Sequence, residues 1–312
     1  MNKEHQPKIL IPYIPAIDGD SEKMDFFITL RPEANGVQVE SLLFKVVSEN
    51  PLYKNNVSFA YLANIPGDFI INQKIMEQHY HLKISFARKG RTIFTPYMKA
   101  RFYEHFRVSA DDVSLMGAFQ ALASLGCSEE ELFQFRVDNS EMLDVNGQNI
   151  KKIDDIYVVN YDIPAILHKN NHNTDIAVMI FRSGLEFEDF KHMIGDMGES
   201  LVKNGILGPN LPFSRIFHYS KSPFEHLLDC SGYLLKTPTT HFSLGHLPFV
   251  RYLQNKGVPL KMIEGALKYP VMTYRNSSGG LVERDIFQYT VGSSFKTSYQ
   301  KFSSALGQCY IS

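Results

Sequence analysis

Val57-Ser58-Phe59-Ala60-Tyr61-Leu62-Ala63-Asn64-Ile65-Pro66-Gly67-Asp68 decides the fold class. Its first six residues are apolar, β-branched or aromatic apart from Ser58, which suits a strand. Ile65-Pro66-Gly67-Asp68 reads as a turn, and Phe69 to His79 then reads as a helix. A strand period gives way to a helix period within one short stretch. That is the pattern of a sheet with helices laid over it.

The same alternation extends upstream. Asp25 to Leu30 reads as a strand, and Ile9 to Tyr13 as an earlier one, followed by a turn at Asp18-Gly19-Asp20. Ser41 to Val47 is an apolar run without a clear period. Downstream, His81 to Phe86 alternates as a strand would, and Arg91 to Phe94 is placed to pair with it across Lys89-Gly90.

The middle of the chain is more helical. Pro96 opens a helix through Phe106, where its missing N–H is harmless. Ser109 to Asp112 caps a second helix, Val113 to Leu125, ended by Gly126. Ser128 and Glu131 have the spacing of a capping box for a third. Asn146-Gly147 then signals a hairpin, and Ile156 to Val159 an interior strand. Asp175 to Phe181 is a strand, and Phe187 to Lys203 a helix stopped by Asn204-Gly205.

In the last third, Arg215 to Tyr219 reads as a strand and Pro223 opens a helix to Leu228 or beyond. Further helices are expected over Leu244–Gln254, Pro259–Leu267 and Phe295–Leu306. Val271 to Tyr274 and Asp285 to Tyr289 are expected to pair around Asn276 to Gly280. The fold class is therefore α/β or α+β: a mixed sheet covered by helices, with a helical region in the middle. No linker composition marks a boundary. A division into lobes at 1–135 and 136–312 and one continuous domain both fit.

Composition narrows the function classes without choosing one. The 312 residues include 32 Lys plus Arg and 33 Asp plus Glu, a formal charge of -1. That balance gives no bulk support for nucleic-acid binding. One basic stretch, Lys83, Arg88, Lys89, Arg91, Lys99, Arg101 and Arg107, is interleaved with Phe86, Phe94, Tyr97, Phe102 and Tyr103. Bases stack on such surfaces, but amphipathic elements with one wet basic face account for the same pattern. The opening apolar stretch is broken by Pro12 and Pro15, and no run approaches the roughly 18 apolar residues that span a bilayer. Cys127, Cys230 and Cys309 have neither CxxC spacing nor an even count. A cytoplasmic protein without disulfides is expected, and no membrane partner.

The strongest local chemistry lies in Tyr219-Ser220-Lys221-Ser222-Pro223-Phe224-Glu225-His226. Ser222 can cap a helix, Pro223 can begin it and Glu225 can close a capping box. Lys221 adds positive charge, and Ser220 and Ser222 add hydroxyls, so the turn can cradle phosphate or carboxylate. An ordinary capped helix uses the same residues. The glycines of a Walker A loop are missing. Arg275, beside the Asn276–Gly280 loop, is a further anion-binding candidate.

His218 and His226 flank the turn and are candidate acid–base groups, with Lys221 to stabilise developing charge. His226 and Cys230 share a helix face at i,i+4, which also describes a core histidine beside a small thiol. His168, His172 and His241 form a weaker candidate metal set, since the H-x3-H pair falls in an asparagine-rich loop. The cofactor is left open, and none is strongly implied. The leading expectation is a protein that binds an anionic small molecule or a protein partner without catalysis. The alternatives are a hydrolase or transferase acting on a phosphorylated or carboxylated substrate, and a homo-oligomeric structural protein rich in Phe and Tyr.

Overall fold

The strand that opens the sequence argument runs from Val57 through Pro66, and a helix follows at once over Gly67–Asn72. It is the second member of a five-stranded antiparallel sheet, ordered Lys8–Ile11, Val57–Pro66, Asp175–Ser183, Met24–Leu30 and Phe217–Tyr219. The structure, a computed structural model, describes residues 6–16 and 23–310. The expected Asp18-Gly19-Asp20 turn lies outside them. The fold is α+β.

Two compact units are present, and neither is a single stretch of chain. The first holds the chain to Ile75, then Asn170–Leu267 and Thr290–Phe302. The second holds Met76–Lys169, Lys268–Tyr289 and Ser303 onward, so residue 135 falls inside it.

In the first unit the five-stranded sheet buries one face against the helices Val37–Glu49 and Phe187–Lys203. Phe26, Ile28, Met179 and Phe181 meet Leu43, Phe190, Met193, Met197 and Leu201 there. Phe26 and Phe190 stack with ring centroids 3.5 Å apart. The run Ser41–Val47 lies in the helix Val37–Glu49, whose buried residues Val39, Leu43 and Val47 recur every four. Starting the window at Ser41 hides that stripe. Side chains alternate between faces along a strand, so Asp25, Phe27, Arg182 and His218 point away from this core. The helix Pro223–Cys230 serves that second face.

The second unit is built on a mixed four-stranded sheet, ordered Ser114–Gly117, Ile156–Val159, Gln148–Ile153 and Met142–Val145, whose first pair is parallel. The Asn146-Gly147 hairpin forms as expected, with φ of +55° and +72°. A Cβ on Gly147 would stand 2.6 Å from the Asp285 carboxylate, so glycine is needed there for space as well as conformation. A three-stranded sheet, Leu281–Asp285, Val271–Arg275 and Gly307–Gln308, belongs to the same unit.

Several sequence expectations are corrected here. His81–Lys89 is a helix, not a strand. Leu82 and Phe86 enter one core cluster, and Ile84 and Ala87 another, so the helix buries two faces and its sequence alternates. Arg91–Phe94, expected to pair with it, lies largely in a short 3₁₀ turn, Gly90–Ile93. The helix expected from Val113 begins at Ala118, after the strand Ser114–Gly117. Gly117 permits that arrangement, because its Cβ would meet the Ala87 carbonyl oxygen at 2.1 Å.

Phe69–His79 is two helices, separated where Lys74 takes φ +52°. The helix expected over Leu244–Gln254 begins at Pro248, since the residue before a proline is held extended. Ile286–Tyr289 leaves the expected strand pairing because Asp285 Oδ1 accepts from the Phe287 and Gln288 amides and starts a helical turn. The last helix stops at Ser303. By contrast Pro96–Phe106, the Ser128–Glu131 capping box and Phe187–Lys203 stand as read. Among the described residues, no helix is long and apolar enough to cross a membrane.

Candidate functional site

The Tyr219–His226 segment is a strand end, a sharp turn and a helix start, all within the first unit. Ser220 extends the strand pairing: its amide donates to the Phe27 carbonyl at 3.0 Å. Its Oγ accepts from the Phe27 amide at 3.0 Å and is fully buried. That hydroxyl is a backbone clip and not a nucleophile. Ser222 caps the helix Pro223–Cys230, its Oγ accepting from the Glu225 amide at 3.1 Å, with Pro223 at the first helical position.

Glu225 reaches back one residue further than a standard capping box. Its Oε2 accepts from the Lys221 amide at 2.6 Å. The carboxylate that the turn attracts is therefore the chain's own. Burial pushes the Glu225 carboxyl up to about 7, and the neighbouring Asp229 charge pushes the same way. The Lys221 side chain is exposed, its ammonium 5.9 Å from the Tyr219 ring, and its carbonyl accepts from the Gly292 amide.

The two histidines have different partners. His218 Nε2 stands 2.9 Å from Asp229 Oδ2, a residue eleven positions on and one helix later. Burial pulls the His218 imidazole down, but Asp229 outweighs it through charge and hydrogen bond, so the ring ends above its ordinary value. His226 is buried and lies 3.5 Å from the Cys230 sulfur, as its i,i+4 spacing predicts. Burial lowers the His226 pKa and raises that of the Cys230 thiol, so both are neutral near pH 7.

Asp25 and Arg182 make a second polar group on the same sheet face. The guanidinium donates to both carboxylate oxygens, at 2.7 and 2.9 Å, and Tyr13 Oη donates to Oδ2 at 2.8 Å. A cleft opens beside it, lined by Phe26, Lys221, Ser222, His226, Phe249 and Ser293 among others. The cleft is shallow, with enclosed room of about 10 Å³, enough for a single water. Lys301 Nζ donates to Ser293 Oγ at 3.0 Å.

The remaining candidates lie apart from this turn along the chain. Arg275 belongs to the second unit, is exposed, and donates to the Gly279 carbonyl at 2.9 Å. With Asn276 Oδ1, which accepts from the Ser278 and Gly280 amides, it closes the hairpin loop. His168, also in the second unit, is hydrogen-bonded to the Glu129 carboxylate. His172 and His241 belong to the first unit, and both are exposed; His241 Nε2 is 3.1 Å from the Gly232 carbonyl oxygen. Among the described residues, the group whose metal-ligating atoms converge is His218, Glu225 and Asp229.

The sequence reading missed Asp229 as the partner of His218, and the Asp25–Arg182 pair altogether. Glu225 and Asp229 share a helix face by i,i+4 spacing, and that signal was readable. No protein family, curated protein or solved structure matches the chain.

Proposed function

We propose that the first unit binds a small ligand with an apolar body and an anionic end in the cleft beside Lys221, without catalysis. One observation carries this reading: Lys221, Ser222 and Ser293 border the same cleft as Phe187, Phe249 and Phe295. Apolar walls with a few convergent polar groups are what small-ligand sites offer. Because Glu225 already occupies the Lys221 amide, the ligand's anionic end is assigned to the Lys221 ammonium and the serine hydroxyls. The Ser220 clip removes the nearest hydroxyl nucleophile, which favours binding over covalent catalysis. We also propose a cytoplasmic location, supported by three unbridged cysteines.

The test is calorimetric titration with phenyl phosphate, benzoate and a panel of phosphorylated and carboxylated metabolites. Saturable binding to the wild type, weakened at least about tenfold by Lys221→Ala, is expected, the loss of one charge-assisted contact. Absence of binding across the panel, or an unchanged affinity in Lys221→Ala, would sink the site.

The His218–Asp229 hydrogen bond favours one second reading, a hydrolase or transferase that uses His218 as acid–base. His226, buried against a sulfur, is a poorer candidate for that role. Turnover of a phosphorylated or carboxylated substrate that survives His218→Ala would reject this mechanism.

A further inference from the structure

The His218, Glu225 and Asp229 cluster sets one imidazole against two carboxylates. His218 comes from the strand Phe217–Tyr219, and the two acids from successive turns of the helix Pro223–Cys230. One ligand atom from each lies within 4.8 Å of the others. A structural ion pair needs only one of the acids, and His218–Asp229 already makes it. The second carboxylate adds repulsion in a partly buried place, which a neighbouring cation would relieve.

The hydrogen bonds leave room for that cation. Asp229 Oδ2 meets His218, and Glu225 Oε2 meets the Lys221 amide. Asp229 Oδ1 and Glu225 Oε1 have no hydrogen-bond partner among the described residues, and neither is sealed from solvent. The His218 side chain is 29% exposed and that of Asp229 11%, so the cluster is recessed but reachable.

We propose that His218 Nε2 and the carboxylates of Glu225 and Asp229 bind a divalent transition-metal cation. One nitrogen and two oxygens from three side chains, with solvent access, is a donor set suited to Zn²⁺ or Mn²⁺ with open positions for water. Metal–ligand bonds of about 2.0–2.2 Å would set the donor atoms roughly 3.4 Å apart, so His218 Nε2 and Asp229 Oδ2, now 2.9 Å apart, would part slightly to admit the ion. The cation takes the place of the proton now shared by His218 and Asp229. This site is separate from the cleft reading, whose lining includes none of the three ligands.

The experiment is titration of chelator-treated full-length protein with Zn²⁺ and Mn²⁺ chloride alone, followed by calorimetry and by the shift in melting temperature. One equivalent is expected to bind the wild type. Its affinity should fall at least about tenfold in His218→Ala, Asp229→Asn and Glu225→Gln. His172→Ala should leave it unchanged. Glu225→Gln retains an oxygen for the Lys221 amide and so keeps the helix start intact; it decides the matter if the other variants fail to fold. No bound equivalent, or an equivalent that Glu225→Gln and Asp229→Asn leave within about twofold, overturns the proposal. Loss of metal binding with ligand binding at Lys221 intact, or the reverse, distinguishes this site from the cleft.

Discussion

The first unit treats its buried carboxylates in two ways. Asp25 is closed: Arg182 supplies two parallel hydrogen bonds, Tyr13 a third, and the side chain has no exposed surface. Glu225 and Asp229 are open: two acids share one histidine and one backbone amide, and two of their oxygens have no hydrogen-bond partner among the described residues. A closed pair fixes strands relative to each other. An open pair holds unmet electrostatic demand at a place that an ion can reach. The difference separates a polar group that serves the fold from one available for binding.

The largest expected effect tests the closed side. Arg182→Met leaves the Asp25 carboxylate buried with Tyr13 alone, and should destabilise the protein by roughly 3–5 kcal/mol. Urea denaturation at pH 7 measures it. The double variant Asp25→Leu, Arg182→Met should recover most of the loss, because the penalty lies in the orphaned charge rather than the missing pair. A single-variant loss below about 1 kcal/mol would place Asp25 among surface-like ion pairs and erase the contrast.

Asp285, in the second unit, is a third case: it is buried, has no hydrogen-bonded arginine among the described residues, and is held by the Phe287 and Gln288 amides. Burial pushes its carboxyl up to about 6, although both amides and the Lys83 charge oppose the shift. The folded state therefore binds this proton more tightly than the unfolded chain. Its contribution to stability is fully present below the unfolded value near 4 and is lost as pH rises through about 6. Relative to Asp285→Asn, the wild type should gain about 2–3 kcal/mol between pH 7.5 and pH 4. Denaturation midpoints at both pH values, in both proteins, measure it. Parallel pH profiles would mean that the two amides alone satisfy the charge.

The sequence made some of these groups legible and concealed others, for a physical reason. Phe187–Lys203 and Pro223–Cys230 are local: a stripe in the first, Ser222 and Pro223 in the second, write their limits into neighbouring residues. His81–Lys89 misled because a helix buried on two faces loses the one-sided stripe. Asp25 meets Arg182 across 157 positions through strand order, which no local pattern encodes. His218–Asp229 lies between these limits. Alternation turns His218 away from Phe217 and Tyr219, and helical spacing puts Glu225 and Asp229 on one face, but only the turn geometry brings those faces together.

The smallest expected effect tests the open side. Glu225→Gln removes one of two crowded acids and keeps an oxygen to accept from the Lys221 amide. Near neutral pH the wild-type carboxyl is already divided between charged and neutral forms, since burial and Asp229 have pushed it to about 7. Relative to the wild type, the neutral amide should therefore gain less than about 1 kcal/mol of stability between pH 7 and pH 8.5, as the remaining protonated fraction ionises. Denaturation at pH 7 and pH 8.5 without added metal measures it. A loss above about 2 kcal/mol would show that the Glu225 charge is itself a structural requirement of the helix start, as the Asp25 charge is of the sheet. The open cluster would then belong with the closed one.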